Sequence, residues 1–217
     1  MLVLPAAAAA AALAAHWPVL RTQALLFDDQ QYVIQNPLVQ NPSWTSVKRF
    51  LGEVLSPSTV HGYYQPLAMI SLMLDWASGA RPDDLRPFHR TNLALHALNT
   101  ALVTLLLYSL FGEPWTAAAV GLLFGVHPLT VEPVAWAGER KTLLASFFSL
   151  LCLILYVRYT RRRSWAGYAA CLIAYVLALM SKPTSTPLPL LMLLLDFWPL
   201  RGRESPVLMA SSSGRVP

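Results

Sequence analysis

Charge is the scarcest feature of this sequence. Asp, Glu, Lys and Arg make up 12% of its 217 residues, against 55% hydrophobic, and the mean hydropathy is +0.47. A water-soluble domain normally carries about a quarter charged residues, so this chain cannot coat a water-facing surface and lipid must cover part of it. Cysteine is nearly absent. The two present, Cys152 and Cys171, lie inside apolar runs, which excludes a disulfide framework or a zinc site of ordinary spacing. The sequence also lacks an N-glycan acceptor, because Asn41-Pro42-Ser43 carries the forbidden proline, and it shows no 34-residue helical repeat. Its net charge of +5 is scattered between apolar runs. It forms no basic stripe interleaved with exposed aromatics, which argues against nucleic acid as a partner.

What is present is a series of apolar runs near the roughly 17–25 residues that cross a bilayer as a helix. They predict an all-α polytopic membrane bundle of about six helices, filling residues 1–203. The spans fall near 2–20, 91–111, 114–131, 142–157, 164–181 and 184–200, the last interrupted by Pro187, Pro189 and Asp196. A long polar loop, 21–90, follows the first span. Within it Pro66 to Leu74 is apolar but too short to cross, and reads as an interfacial or re-entrant element. The tail 204–217 has the Ser/Gly/Pro-rich composition of a disordered segment. The first run also has a rival reading as a signal peptide, with Ala12-Leu13-Ala14 as the cleavage-like site; no Lys or Arg precedes it.

Orientation comes from the short loops. Arg158, Arg161, Arg162 and Arg163 lie between the fourth and fifth spans, and Arg201 and Arg203 follow the sixth. Both clusters share one side if six helices alternate, and such clusters stay cytoplasmic. The loop 21–90 and the segments around His127–Lys141 and Ser181–Pro183 then lie outside.

On that outer rim three groups carry chemistry. Asp28-Asp29 is a pair of adjacent carboxylates, which repel and can leave one of them a usable base, or which simply mark the membrane edge. His127, Glu132, Glu139, Arg140 and Lys141 collect imidazole, acid and paired cations beside helix-stopping prolines. Arg and Lys there suit a lipid phosphate, although interfacial anchoring is the commoner use. Lys182 adds a cation between the last two spans, and His89 lies at the mouth of the second. His96 and Asn99, one turn apart, suit interhelical hydrogen bonds. No histidine has a second ligand at a helical offset, so no metal site is assigned; two adjacent carboxylates leave a divalent ion open without arguing for one. A transporter would want acids at mid-depth and a repeated half, and neither is visible.

The string Phe27-Asp28-Asp29-Gln30-Gln31-Tyr32-Val33-Ile34-Gln35-Asn36-Pro37 resembles the first external loop of the GT-C-fold protein O-mannosyltransferase-like glycosyltransferases. That family includes the transmembrane and tetratricopeptide-repeat O-mannosyltransferases and bacterial relatives. Tyr64-Gln65-Pro66-Leu67, His89-Arg90-Thr91-Asn92-Leu93, Leu95-His96-Ala97-Leu98-Asn99 and His127-Pro128-Leu129 are similar to its text in the same order. So are Val131-Glu132-Pro133-Val134-Ala135-Trp136, Glu139-Arg140-Lys141, Ser181-Lys182-Pro183 and Asp196-Phe197-Trp198-Pro199-Leu200. The likeness covers roughly residues 25–201, the family's N-terminal membrane portion. It implies a membrane glycosyltransferase that takes a sugar, mannose by the family's name, from a polyprenyl-phosphate carrier. The sugar passes to a protein or glycan hydroxyl on the non-cytoplasmic face, with inversion, in a bacterial inner membrane or an endoplasmic reticulum membrane. By the same resemblance Asp28, with Asp29 as partner, is the catalytic base. Arg140, Lys141 and Lys182 bind the donor phosphate, and His127, Glu132, Glu139 and His89 orient substrates. Family members carry further membrane helices, which leaves a second reading open: an inactive truncated membrane module or lipid-binding fragment of such an enzyme.

Overall fold

The computed structural model describes residues 2–23, 29–56 and 58–200; Asp28 and the tail 204–217 lie outside the described residues. Among those described the chain is helical, with no strand. The alanine-rich start forms α1 (Val3–His16), prolonged by a 3-10 turn over Trp17–Arg21.

Residues 29–85 fold into a cap rather than an open loop. Its helices are short because prolines and capping side chains punctuate the sequence. Asn36 accepts from the N–H groups of Leu38 and Val39 to open α2 (Pro37–Gln40), and Ser43 accepts from Ser46 N–H to open α3 (Trp44–Leu51). The short apolar element becomes α4 (Pro66–Ala77). The cap has a core of its own, in which Tyr32, Val39, Phe50, Met69 and Leu72 pack against Phe88.

The bundle follows. α5 (Arg86–Phe111) ends on Gly112 at φ 81°, the left-handed conformation that a glycine adopts without strain. α6 (Pro114–Val126) stops at His127, and a 3-10 turn leads into α7 (Val131–Ala135) across a 54° bend. α8 (Arg140–Arg162) and α9 (Trp165–Ser181) come next, the latter opened by Ser164 accepting from Gly167 N–H. α10 (Leu188–Leu195) completes the set. Three helices are long and apolar enough to cross a membrane, Val3–Arg21, Arg86–Phe111 and Ala137–Arg162. The bent pair Pro114–Val126 and Pro128–Ala135 is a fourth if it counts as one span. α9, with 17 residues, is close to spanning length. The expected span 184–200 instead holds an eight-residue helix, because Pro183, Pro187 and Pro189 break it at the start and Trp198 turns extended before Pro199.

Contacts give the apolar elements alternating directions. Val3 and Pro114, at the starts of α1 and α6, meet Tyr108 near the end of α5. Arg161 at the end of α8 donates to the carbonyl of Ser109, also near the end of α5. Ser149 and Ser185, on α8 and the turn after α9, are hydrogen-bonded at 3.0 Å. One end of the bundle therefore carries the cap with the segments 137–141 and 181–185, and the other carries Arg158, Arg161 and Arg162.

α5 and α6 approach so closely that only glycine fits between them. A Cβ at Gly121 would stand 2.0 Å from Thr104 Oγ1, and one at Gly125 would stand 2.8 Å from Thr100 Cγ2. This is the small-residue packing by which helices associate where lipid removes the hydrophobic drive. Gly121→Ala is expected to lower stability by about 1–3 kcal/mol, the usual range for overpacking. Thr104→Ala in the same chain should recover part of that loss. Thermal unfolding in detergent of the unaltered chain, the single variant and the double variant measures both effects.

Candidate functional site

Arg140 opens α8 and points inward. Its side chain is fully buried, and each of its nitrogens has a partner. Nη2 donates to Asp75 Oδ2 at 2.6 Å and to the Phe88 carbonyl at 2.8 Å, Nη1 donates to Ser71 Oγ at 2.6 Å, and Nε donates to Asn92 Oδ1. Asp75 is in turn held by Thr91 Oγ1, 2.7 Å away. Asn92 turns its amide nitrogen to the carbonyls of Trp136 (2.9 Å) and Val134 (3.2 Å) at the end of α7. One guanidinium thus fastens α4, α5 and α8 together. Asn99 adds a clamp between α5 and α8 by donating to Leu143 O at 3.0 Å.

The residues beside Arg140 face the other way and build an ionic cluster. Glu139 lies between two ammonium groups, with Oε1 3.4 Å from Lys141 Nζ and Oε2 3.4 Å from Lys182 Nζ. Thr142 Oγ1 donates to Glu139 and accepts from Lys182 at 2.7 Å. Lys141 Nζ also donates to Tyr32 Oη at 3.2 Å and lies 4.7 Å from the centre of that ring, within cation–π range. Gln65 donates to the same hydroxyl at 2.6 Å. Asp29 joins the cluster from the start of the cap. It is buried, and its Oδ1 accepts from Gly138 N–H at 2.7 Å. Segments more than 100 residues apart in sequence therefore meet at one end of the bundle.

Next to this cluster a groove of about 300 Å³ runs between α8 and the start of α10. Thr142, Ser146 and Ser149 face it from successive turns of α8, Thr184 and Ser185 from the opposite wall, and Ala145, Leu188 and Leu191 supply its apolar floor. Lys182 keeps 20% of its side chain exposed beside it, whereas Lys141 keeps 6%.

Set against the sequence expectations, the structure gathers Asp29, Glu139, Lys141 and Lys182 and parts them from the rest. Arg140 is corrected from an open phosphate contact to a buried clamp, since its donors are engaged and none of it is exposed. His89, expected at the mouth of a span, is fully buried with Nε2 3.1 Å from the Thr22 carbonyl. His127 is exposed, and its Nδ1 accepts from Leu129 N–H, capping the turn after α6. Glu132 is exposed in the first turn of α7. That segment packs through Val134 on Val19 and Leu93, on the α1–α5 side of the bundle, away from the meeting point of α8 and α9. Asp28 lies outside the described residues. Among those described, no three His, Cys, Asp or Glu side chains gather as a metal site. Tyr32, Gln65, Asp75, Asn92 and Thr142 were given no role by sequence reasoning. The one available signal is that all five stand in or one step beyond segments singled out as family-like or apolar.

The chain is 31% identical over 182 residues to protein O-mannosyl-transferase Tmtc2 of Drosophila melanogaster, covering 79% of this chain and 19% of that protein. It is 34% identical over 149 residues to protein O-mannosyl-transferase TMTC2 of Mus musculus, covering 66% and 17%. Over the aligned stretch the chain is similar to the protein O-mannosyl-transferases. Drosophila protein O-mannosyl-transferase Tmtc1 is similar at 29% over 192 residues, 83% of this chain and 21% of that protein. The chain thus spans about a fifth of the length of the relatives it matches. No family model matches it, and no solved structure does.

The Arg140 cluster makes a direct energetic prediction. Asp75→Ala leaves a buried guanidinium without its counter-ion and is expected to cost about 3–5 kcal/mol. The double change Asp75→Leu with Arg140→Met removes both charges and should cost much less. Lys182→Ala, at a partly exposed pair, should change stability by less than about 1 kcal/mol. Thermal unfolding in detergent of these variants gives the comparison.

Proposed function

We propose that the capped end of the bundle is the sugar-transfer site of a membrane glycosyltransferase. The site takes a hexose from a polyprenyl-phosphate carrier and passes it, with inversion, to a hydroxyl of a protein acceptor on the non-cytoplasmic face. The observation that carries this reading is the convergence of Asp29, Glu139, Lys141 and Lys182 on one end of the bundle. The names of the relatives, protein O-mannosyl-transferases, give the same direction.

The chemistry follows from the residue types. Glycosyl transfer needs a carboxylate to take the proton of the attacking hydroxyl and positive charge where the leaving phosphate gathers negative charge. Asp28 is the base. Asp29, tied to the 138 amide, holds the start of the cap against the turn that leads into α8. As the acceptor oxygen bonds to the sugar's anomeric carbon, the bond from that carbon to the phosphate oxygen breaks. Its electron pair stays on the phosphate, which Lys182 and Lys141 stabilise. Glu139 holds both ammonium groups in place, and Tyr32 and Gln65 fix Lys141. The groove beside Lys182 takes the first units of the carrier, hydroxyls near the phosphate and Leu188 and Leu191 along the chain. The arginines at the far end of the bundle favour the cytoplasmic side, which puts the capped end outside. Multi-pass insertion in a bacterial inner or endoplasmic reticulum membrane is part of the same reading.

A second reading is donor binding without turnover. The test separates the two. In membranes holding the full chain and a polyprenyl-phosphate mannose donor, Asp28→Asn is expected to lower transfer by about a hundredfold or more, the usual range for a general base, with expression unchanged. Lys182→Ala should weaken donor binding about tenfold to a hundredfold, the worth of a hydrogen bond to charge. Donor bound normally with no transfer by the unaltered chain would leave the second reading; transfer undiminished by Asp28→Asn would remove Asp28 from the mechanism.

A further inference from the structure

The pair Cys152 and Cys171 takes no part in the site, yet its geometry is specific. Cys152 lies on α8 and Cys171 on α9, both buried, with their sulfurs 3.6 Å apart. The contact is reciprocal. Cys152 Sγ is 3.3 Å from the Cys171 carbonyl, and Cys171 Sγ is 3.5 Å from the Cys152 carbonyl. The two backbones therefore run side by side at this point, each thiol aimed at the other residue. A disulfide has its sulfurs about 2.05 Å apart on Cα atoms within roughly 7 Å. Closing a gap of 3.6 Å to that length moves each sulfur by about 0.8 Å.

Depth decides which oxidant can reach the pair. Cys152 is twelve residues along α8 from Arg140, about 18 Å of helix, which is mid-depth in a hydrocarbon layer about 30 Å thick. Leu106, Leu153, Val157 and Ala174 surround it. An ionic oxidant from water has no path there, whereas a membrane-dissolved one does. We infer that Cys152 and Cys171 are a redox-active dithiol that closes into a disulfide between α8 and α9, giving its electrons to a lipid-soluble quinone. Two S–H bonds break and one S–S bond forms. Two protons and two electrons pass to the quinone, which leaves as the hydroquinone, and a dithiol reductant reverses the step. The latch joins the helix that begins beside Glu139 and carries Lys141 to the helix that ends beside Lys182, and fixes their relative slide. The inference stands on the cysteine geometry alone and is independent of the sugar-transfer reading.

The test uses the full chain in lipid vesicles and tetramethyl-benzoquinone, whose fully substituted ring oxidises thiols without adding to them. Trypsin cuts after Lys141, Arg158 and Arg163, so it separates peptide 142–158, with Cys152, from peptide 164–201, with Cys171. After quinone treatment and denaturation in the presence of an alkylating agent, these two peptides are expected as one species, lighter by two hydrogens than their sum. A dithiol reductant should part them. Cys152→Ser should abolish the linkage. Both peptides recovered separately, each alkylated, after quinone treatment would overturn the inference, as would disulfide-linked dimers in place of the internal bond.

Discussion

Burial of the Arg140 guanidinium is the constraint on which the rest of this structure depends. A charged group taken out of water is stable only when its donors are matched, and removing a partner leaves a heavy penalty. Asp75, Ser71, Asn92 and the Phe88 carbonyl meet that requirement from two other helices. Meeting it fixes how α8 is rotated about its axis. Neighbouring helical residues point about 100° apart, so with Arg140 turned toward α4 and α5 Lys141 is carried round toward Tyr32 in the cap, and Glu139 in the preceding turn stands between Lys141 and Lys182. The ionic cluster at the rim is a consequence of the clamp beneath it.

The break between α6 and α7 belongs to the same economy of polar groups. A helix that stops inside a membrane protein leaves carbonyls that must find donors. Asn92 supplies one to the carbonyls at the end of α7 while its own oxygen accepts from Arg140. His127 satisfies an amide at the turn with its imidazole. The bend is thus compatible with an apolar setting, and it brings the 137–141 segment across the bundle to where Asp29 can hold it.

Much of this was legible in the sequence. Continuous apolar runs marked α1, α5, α6, α8 and α9, because a run free of charge has one economical place in lipid. The alternation of those runs also put Asp29 and the later cations at one end, where Asp29 and Gly138 meet. The parts that were not legible have a common cause, which is that they depend on partners far apart in the chain. Arg140 and Lys141 are adjacent cations of similar reach, and only the fold decides that one clamps α4 and α5 while the other meets Tyr32 and Glu139. Asp75 follows an apolar stretch directly, and nothing near it signals a partner 65 residues on. The cap hid its core in a segment whose overall polarity reads as a loop, since Val39, Phe50 and Met69 are spaced by turns rather than by one helical period. Over the last expected span, 184–200, the α-helix is confined to Leu188–Leu195, starting only after Pro183 and Pro187.

The hydroxyl stripe of α8 sets a limit on wetness. From Thr142 to Ser149 the helix rises about 10 Å, a third of the thickness of a hydrocarbon layer of about 30 Å. Over that distance the groove offers hydrogen bonds that let water accompany a polar group inward; past Ser149 the walls turn to Leu153 and Val157 and the two thiols. Any hydrated guest entering from the capped end must shed its solvent at that boundary, so the bundle grades from moist to dry along a single helix face.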